Sequence, residues 1–189
     1  RINVATYQSV SGAGKEAVDE LASQSAALLS GREAEVKVIA KQIAFNCVPQ
    51  IDKFESNGYT REEMKMFWET CKIMGDDSIR VNATTVRVPV FFGHSEAVHI
   101  ETRRKISAGE ARALLEKAPG VTVLDDRVPA GYPTCATEAA NHATVYGCMI
   151  REDISHDRCL DLWIVADNVR KGAATNSVQI AEILAREHI

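Results

Sequence analysis

Two strand-like runs, Ile79–Phe91 and Ser95–Thr102, follow one another with only the break at Gly93 between them. Consecutive parallel strands need a crossover of a dozen or more residues, so runs this close cannot belong to a simple βαβ alternation. Ala143–Arg151 and Leu160–Ala166 form a second close pair; in the latter, Leu160, Leu162, Ile164 and Ala166 alternate with Asp161, Trp163 and Val165. Strands adjacent in sequence, flanked by helices, predict an α+β fold with a mixed, largely antiparallel sheet and helices packed on one face. The other face is expected to be buried by a second subunit.

The remaining elements follow from local signals. Asn3–Val10 reads as a strand, broken by Ser11-Gly12-Ala13-Gly14. A helix is predicted from there to about Ser30, with Val18, Leu21, Ala22 and Leu29 as its apolar stripe, and Gly31 stops it. Val36–Ile39 is a candidate short strand, and Ala44–Phe54 is irregular around Pro49. Thr60-Arg61-Glu62-Glu63 and Ser107-Ala108-Gly109-Glu110 both fit a capping box, opening helices to about Met74 and Lys117. Pro119-Gly120 ends the latter before a strand at Val121–Leu124, and a last helix runs from about Ala174 to Glu187 on a Val178, Ala181, Leu184 stripe.

Composition excludes several classes. The chain has 189 residues, close to the length of one domain. Its hydrophobic share of 46% and charged share of 25% are those of an ordinary globular protein, which sets disorder, collagen and coiled coil aside. A formal charge of -4 supplies no global attraction for nucleic acid or anionic lipid. No apolar run approaches the ~20 residues of a membrane span. The five cysteines are odd in number and scattered, with no Cys-x-x-Cys pair, which points to reduced thiols in the cytoplasm and to neither a disulfide framework nor a metal site. The chain lacks an initiator Met and begins as if inside a strand, so a fragment of a longer protein is expected.

Four segments can carry chemistry. Ser11-Gly12-Ala13-Gly14-Lys15 places glycines between a strand and a helix, where backbone can approach an anion; it matches neither a Walker A loop nor a full G-x-G-x-x-G, and the same residues also make an ordinary tight turn. Glu62 and Lys65 share a helix face at i, i+3, either as a solvated ion pair or as a site for a ligand bearing both charges. Arg87-Val88-Pro89-Val90-Phe91-Phe92-Gly93-His94-Ser95 sets an arginine and a histidine in an apolar run. An arginine buried there must find an anion, and the histidine is either a general acid/base near pH 7 or a satisfied structural residue. Finally, Asn168 lies where a strand ends and the polar and small residues Val169 to Ala174 lead into a helix; it suits an amide-bearing ligand or a capped turn. No cysteine carries a nucleophile signature, and His99, His142, His156 and His188 are expected to be structural or exposed.

Taken in order, Ala5-Thr6-Tyr7-Gln8-Ser9-Val10-Ser11-Gly12-Ala13-Gly14, Ile43-Ala44-Phe45-Asn46 with Val48-Pro49-Gln50-Ile51-Asp52, Glu62-Glu63-Met64-Lys65-Met66 with Glu69-Thr70, Arg87-Val88-Pro89-Val90 with His94-Ser95-Glu96, and Asp167-Asn168 with Lys171-Gly172-Ala173-Ala174 form a recognisable series. The chain resembles the second half of the bacterial aspartate-β-semialdehyde dehydrogenases, along almost its whole length. The resemblance implies a C-terminal domain like that of glyceraldehyde-3-phosphate dehydrogenase, spanning 1–189, that works as a homodimer. It implies NADPH-dependent reduction of L-aspartyl 4-phosphate to aspartate semialdehyde and phosphate, through a cysteine thioester, for lysine, methionine and threonine biosynthesis.

Residue by residue, the resemblance makes Gln8 the group that orients the acyl intermediate, Glu62 the partner of the substrate ammonium and Arg87 that of its carboxylate. It makes Lys65 the phosphate ligand, His94 the acid/base, and Ser11, Gly12 and Asn168 cofactor contacts. The family's NADP-binding half and its nucleophilic cysteine are not in this sequence, so the chain alone is expected to be inactive. Gly147-Cys148-Met149-Ile150-Arg151 departs from the family's usual Gly-Arg before Ile-Arg. Two other readings remain: a non-catalytic homologous dimerisation module, and an N-acetylglutamyl-phosphate reductase, whose acylated substrate amine would leave Glu62 without an ammonium partner.

Overall fold

A computed structural model describes residues 1–188. Its six strands are β1 (Ile2–Gln8), β2 (Val81–Arg87), β3 (His94–Glu101), β4 (Val121–Val123), β5 (Val145–Glu152) and β6 (Cys159–Ala166). They form one sheet in the order β2-β1-β3-β6-β5-β4. β1 pairs with β2, and β4 with β5, in parallel; the three central pairings are antiparallel. The sheet is therefore mixed and largely antiparallel, as expected. β2 and β3, adjacent in sequence, do not pair with each other, because β1 lies between them.

The helices are α1 (Lys15–Leu29), α2 (Arg61–Met74), α3 (Ala108–Leu115) and α4 (Thr175–Glu187). Both predicted capping boxes form: Thr60 with Glu63, and Ser107 with Glu110, each exchange side-chain and backbone bonds. α2 and α3 cover the same sheet face. Met66 packs with Val4, Ala83 and Val98, and Ala111 packs with Ile150, Leu160 and Leu162; Ile100 and Ile164 join both clusters. On the opposite face, Tyr7 and Trp163 lie 5.4 Å apart between ring centroids, and Tyr7 stays 39% exposed.

Three local expectations are corrected. Val36–Ile39 is not a strand: the buried carboxylate of Glu20 accepts the backbone N–H groups of Lys37, Val38 and Ile39 at 2.7–3.0 Å, and so takes the donors a strand would have used. The buried face of α1 is Ala17, Glu20, Leu21 and Gln24, so Ala22 and Leu29 face solvent. Gln24 joins Glu20 in holding this loop, its Oε1 accepting from the Ile43 and Ala44 amides. α4 forms where predicted, but none of its residues is buried, and Val178 and Leu184 are exposed. The other elements match to within a few residues.

Glu20 thus anchors the 32–43 segment to α1. Glu20→Gln leaves the group without a charge and with only one acceptor oxygen for three loop amides, of which that of Ile39 is buried, and unsatisfied or weakened bonds of this kind cost ~1–3 kcal/mol each. Urea unfolding of E20Q should show a loss of about 2–4 kcal/mol, with faster amide exchange at residues 37–39. A loss below about 0.5 kcal/mol, within the range of ordinary surface changes, would contradict this role.

Candidate active site

One edge of the sheet gathers the chemistry. β1 and β2 run parallel and end there, on Gln8 and Arg87, which are register partners. β3 starts at the same edge with His94, paired with Ala166 at the end of β6. Side chains alternate along a strand, so Gln8, Arg87 and His94 fall on the helix-covered face with Val4, Ala83 and Val98. α2 brings Glu62 and Lys65 to this edge, and its placement is set by its own cap. Glu63 accepts from the Thr60 amide with one oxygen and from the Thr85 amide of edge strand β2 with the other. The adjoining edge is closed by Val48, which exchanges both backbone bonds with Arg87.

These groups form a continuous polar chain. Lys65 Nζ donates to Glu62 Oε2 at 2.9 Å, and Gln8 Nε2 donates to Glu62 Oε1 at 3.2 Å. Gln8 Oε1 accepts from Arg87 Nη1 at 3.4 Å, and the same Nη1 donates to the Ser9 carbonyl at 2.8 Å. Arg87 is 6% exposed. No carboxylate among the described residues comes within ion-pair distance of it. Burial accordingly pulls its guanidinium below the usual range, opposed only by the charge of Glu62. Lys65 is shifted upward, first by its bond to Glu62.

His94 is fixed by the turn that follows β1. The Ser9 amide donates to Nδ1 at 3.1 Å, so Nδ1 accepts and the neutral ring carries its proton on Nε2. Burial first, and the Arg87 charge second, push its pKa down to about 4. At neutral pH the ring so placed is uncharged and presents its Nε2–H as a donor.

Asn168 is a hub: its Oδ1 accepts from Ser9 Oγ, Ser11 Oγ and the Gly93 amide at 2.9–3.1 Å. Gly12 closes the wall. A Cβ there would sit 2.9 Å from Arg87 Nη1 and 3.4 Å from His94 Cε1, so only glycine leaves both side chains where they are.

All eight sequence-predicted residues, Gln8, Ser11, Gly12, Glu62, Lys65, Arg87, His94 and Asn168, line one cavity of about 790 Å³. Their charges suit a compact ligand carrying one cationic and several anionic groups. Sequence reasoning passed over Ser9, whose carbonyl, amide and hydroxyl hold Arg87, His94 and Asn168 respectively. It also passed over Asp52, which lines the cavity with a left-handed backbone (φ 66°). The signal for Ser9 was a short polar residue where the chain leaves a sheet for a glycine turn. No cysteine of this chain lines the cavity; burial pushes Cys148 up to about 11, with Asp125 adding to the shift.

Residues 1–171 match the family model described as semialdehyde dehydrogenase, dimerisation domain. The chain is 65% identical over 189 residues to the aspartate-semialdehyde dehydrogenase of Legionella pneumophila, covering 100% of this chain and 54% of that protein. It is 60% identical over 188 residues to that of Shewanella violacea, covering 100% and 55%. The crystal structure of aspartate semialdehyde dehydrogenase II complexed with ASA from Vibrio cholerae superposes with a TM-score of 0.96 at 56% identity, over 100% of this chain and 55% of that one. The chain thus spans about half the length of the curated relatives it matches.

The depressed histidine sets a pH dependence. Below pH ~6.5 the unfolded chain binds a proton at His94 that the folded chain refuses until pH ~4, so stability is full above the first value and declines toward the second. Unfolding free energies should fall by up to about 3 kcal/mol across this window, and His94→Gln should remove that part of the slope. An unchanged slope in H94Q would contradict the assignment.

Proposed function

The chain belongs to the semialdehyde dehydrogenase dimerisation-domain family, and from that premise we propose that it is the substrate-binding half of an NADP-dependent aspartate-semialdehyde dehydrogenase. The observation that carries this reading is the single cavity in which Gln8 links Glu62 to a buried Arg87 while Lys65 and His94 stand alongside. L-Aspartyl 4-phosphate offers the complementary set of one ammonium, one α-carboxylate and one phosphate. The Vibrio cholerae relative is complexed with ASA in its crystal structure.

Each residue has a role its geometry supports. Among the described residues only Nη1 of Arg87 bonds to protein, so the remaining fork is free to grip the α-carboxylate bidentately. Glu62 takes the ammonium, exchanging part of its contact with Lys65, whose amine then turns to the phosphate. Gln8, already bonded to both Glu62 and Arg87, holds the acyl group in line. His94 presents Nε2–H to oxygen charge developing at the acyl carbon, and that negative charge raises its proton affinity so that it can move a proton. A cysteine from the other half of the protein, as the thiolate after its proton has passed to solvent, attacks the acyl phosphate: the S–C bond forms and phosphate leaves with the electron pair of the broken C–O bond.

For the nicotinamide, the fit rests on Gly12, where a side chain would fill the space against Arg87 and His94, and on the Ser11 and Asn168 polar edge beside it. When bound it supplies hydride to the thioester carbon, and Ser11, Gly12 and Asn168 would hold and orient it. The face bearing Tyr7 and Trp163, with an apolar cavity of about 500 Å³ that Trp163, Met149 and Tyr132 help line, is the homodimer surface. The enzyme works in the cytoplasm, supplying the semialdehyde for lysine, methionine and threonine biosynthesis.

The full-length protein should oxidise aspartate semialdehyde with NADP and phosphate, while residues 1–189 alone give no turnover. Arg87→Lys should raise KM for the semialdehyde at least about 10-fold, equivalent to ~1.4 kcal/mol, by losing the bidentate grip. An unchanged KM would remove that role, and activity on N-acetylglutamate semialdehyde instead would overturn the substrate assignment.

A further inference from the structure

We propose that the far end of the sheet carries a second, unrelated site: a binding site for a zinc-class divalent cation held by His99, Asp153 and Cys159. Cysteine spacing alone had pointed away from any metal site, since no two cysteines are near each other in sequence. The structure brings together three different donor types instead. Asp153 and Cys159 flank the β5–β6 hairpin, and His99 comes from the neighbouring strand β3. One donor atom from each lies within 4.8 Å of the other two.

The donors are already oriented. His99 Nδ1 is 3.0 Å from Asp161 Oδ1, the carboxylate contact that typically fixes a metal-binding imidazole, and this turns Nε2 toward Asp153 Oδ2 at 3.6 Å. Asp153 Oδ1 is occupied by the Ser155 amide and hydroxyl, which leaves Oδ2 facing the histidine. The Asp153 amide donates to the Cys159 carbonyl at 3.0 Å, so the two residues are held across the hairpin from each other. Ligand atoms around a tetrahedral zinc sit roughly 3.5 Å apart, given bonds of about 2.0–2.3 Å; the observed spacings need only small side-chain rotations to reach that.

Charge and proton balance follow. A thiolate and a carboxylate offset the two charges of the cation, and mixed S, N and O donors favour zinc over magnesium or calcium. Coordination replaces the S–H bond of Cys159 by an S–metal bond. The released proton passes to solvent, so one proton leaves per cation bound. The nearby cations are engaged elsewhere: Arg158 bonds to Glu101 and Arg151 pairs with Asp161. His99 stands five residues along β3 from His94, roughly 17 Å at ~3.3 Å per residue. The bound cation therefore ties the hairpin to β3 without entering the cavity.

The test uses the full-length protein, reduced and stripped with chelator, titrated with cobalt(II) and with zinc. One equivalent of cobalt(II) should give a thiolate-to-cobalt charge-transfer band, and zinc should raise the thermal midpoint with release of one proton. Cys159→Ser should lose the band while keeping dehydrogenase activity; Cys135→Ser should keep both. His99→Gln and Asp153→Asn should weaken binding at least about 10-fold. Should C159S fail to fold, Asp161→Asn serves instead, since it keeps all three ligands and should weaken binding by about 10–100-fold. No band in the wild-type protein, the same band in C159S, or unchanged affinity in both H99Q and D153N would overturn the proposal.

Discussion

A guanidinium buried without a carboxylate partner is the constraint around which this protein is arranged. Arg87 sits at the end of β2, 6% exposed, with one nitrogen bonded to the Ser9 carbonyl and the Gln8 amide and Glu62 one residue further away. Burying an unpaired charge is expensive, and these neutral acceptors offset only part of the cost. The protein accepts that cost where the two parallel strands end and the glycine turn opens a cavity. A site destabilised in this way gains most from a ligand that brings the missing anion, and this is the physical ground of the proposed carboxylate ligand.

Three carboxylates elsewhere in the chain, the buried Glu20 and Asp125 and the half-buried Glu63, each have several partners. Glu20 gathers three loop amides, and Glu63 caps α2 while tying it to β2. Asp125 takes the Met149 and Ile150 amides at the irregularity in β5 and pairs with Arg112 of α3. Each is a satisfied charge that stabilises position. Arg87 has no such carboxylate partner among the described residues, and the role proposed for it rests on that difference. The Glu63 bond matters most for the site, because it fixes the helix bearing Glu62 and Lys65 to the strand bearing Arg87.

What was legible in the sequence was what local chemistry decides. Thr60 with Glu63 and Ser107 with Glu110 satisfy helix ends within four residues, so both helices began where their caps stood. Strand alternation located β6 because one side of it is core. Val36–Ile39 misled because its apolar residues suit a strand, while Glu20, 17–19 residues away, claims its amides. The stripe of α4 is a true amphipathic pattern, yet nothing among the described residues covers it. The eight candidate residues converged in one cavity, whereas the depressed His94 was illegible: it depends on burial and on a guanidinium seven positions away. The cluster of His99, Asp153 and Cys159 was equally hidden, since only strand pairing makes those residues neighbours.

Everything proposed for the cavity depends on Arg87 gaining an anion from its ligand. The direct measurement is the thermal midpoint of the full-length protein titrated with a non-reacting four-carbon amino dicarboxylate, in the wild type and in Arg87→Met. The wild type should show a saturable rise and R87M none at the same concentrations. An equal rise in both proteins would show that the ligand finds its anion partner elsewhere, and the buried guanidinium would lose its place at the centre of the site.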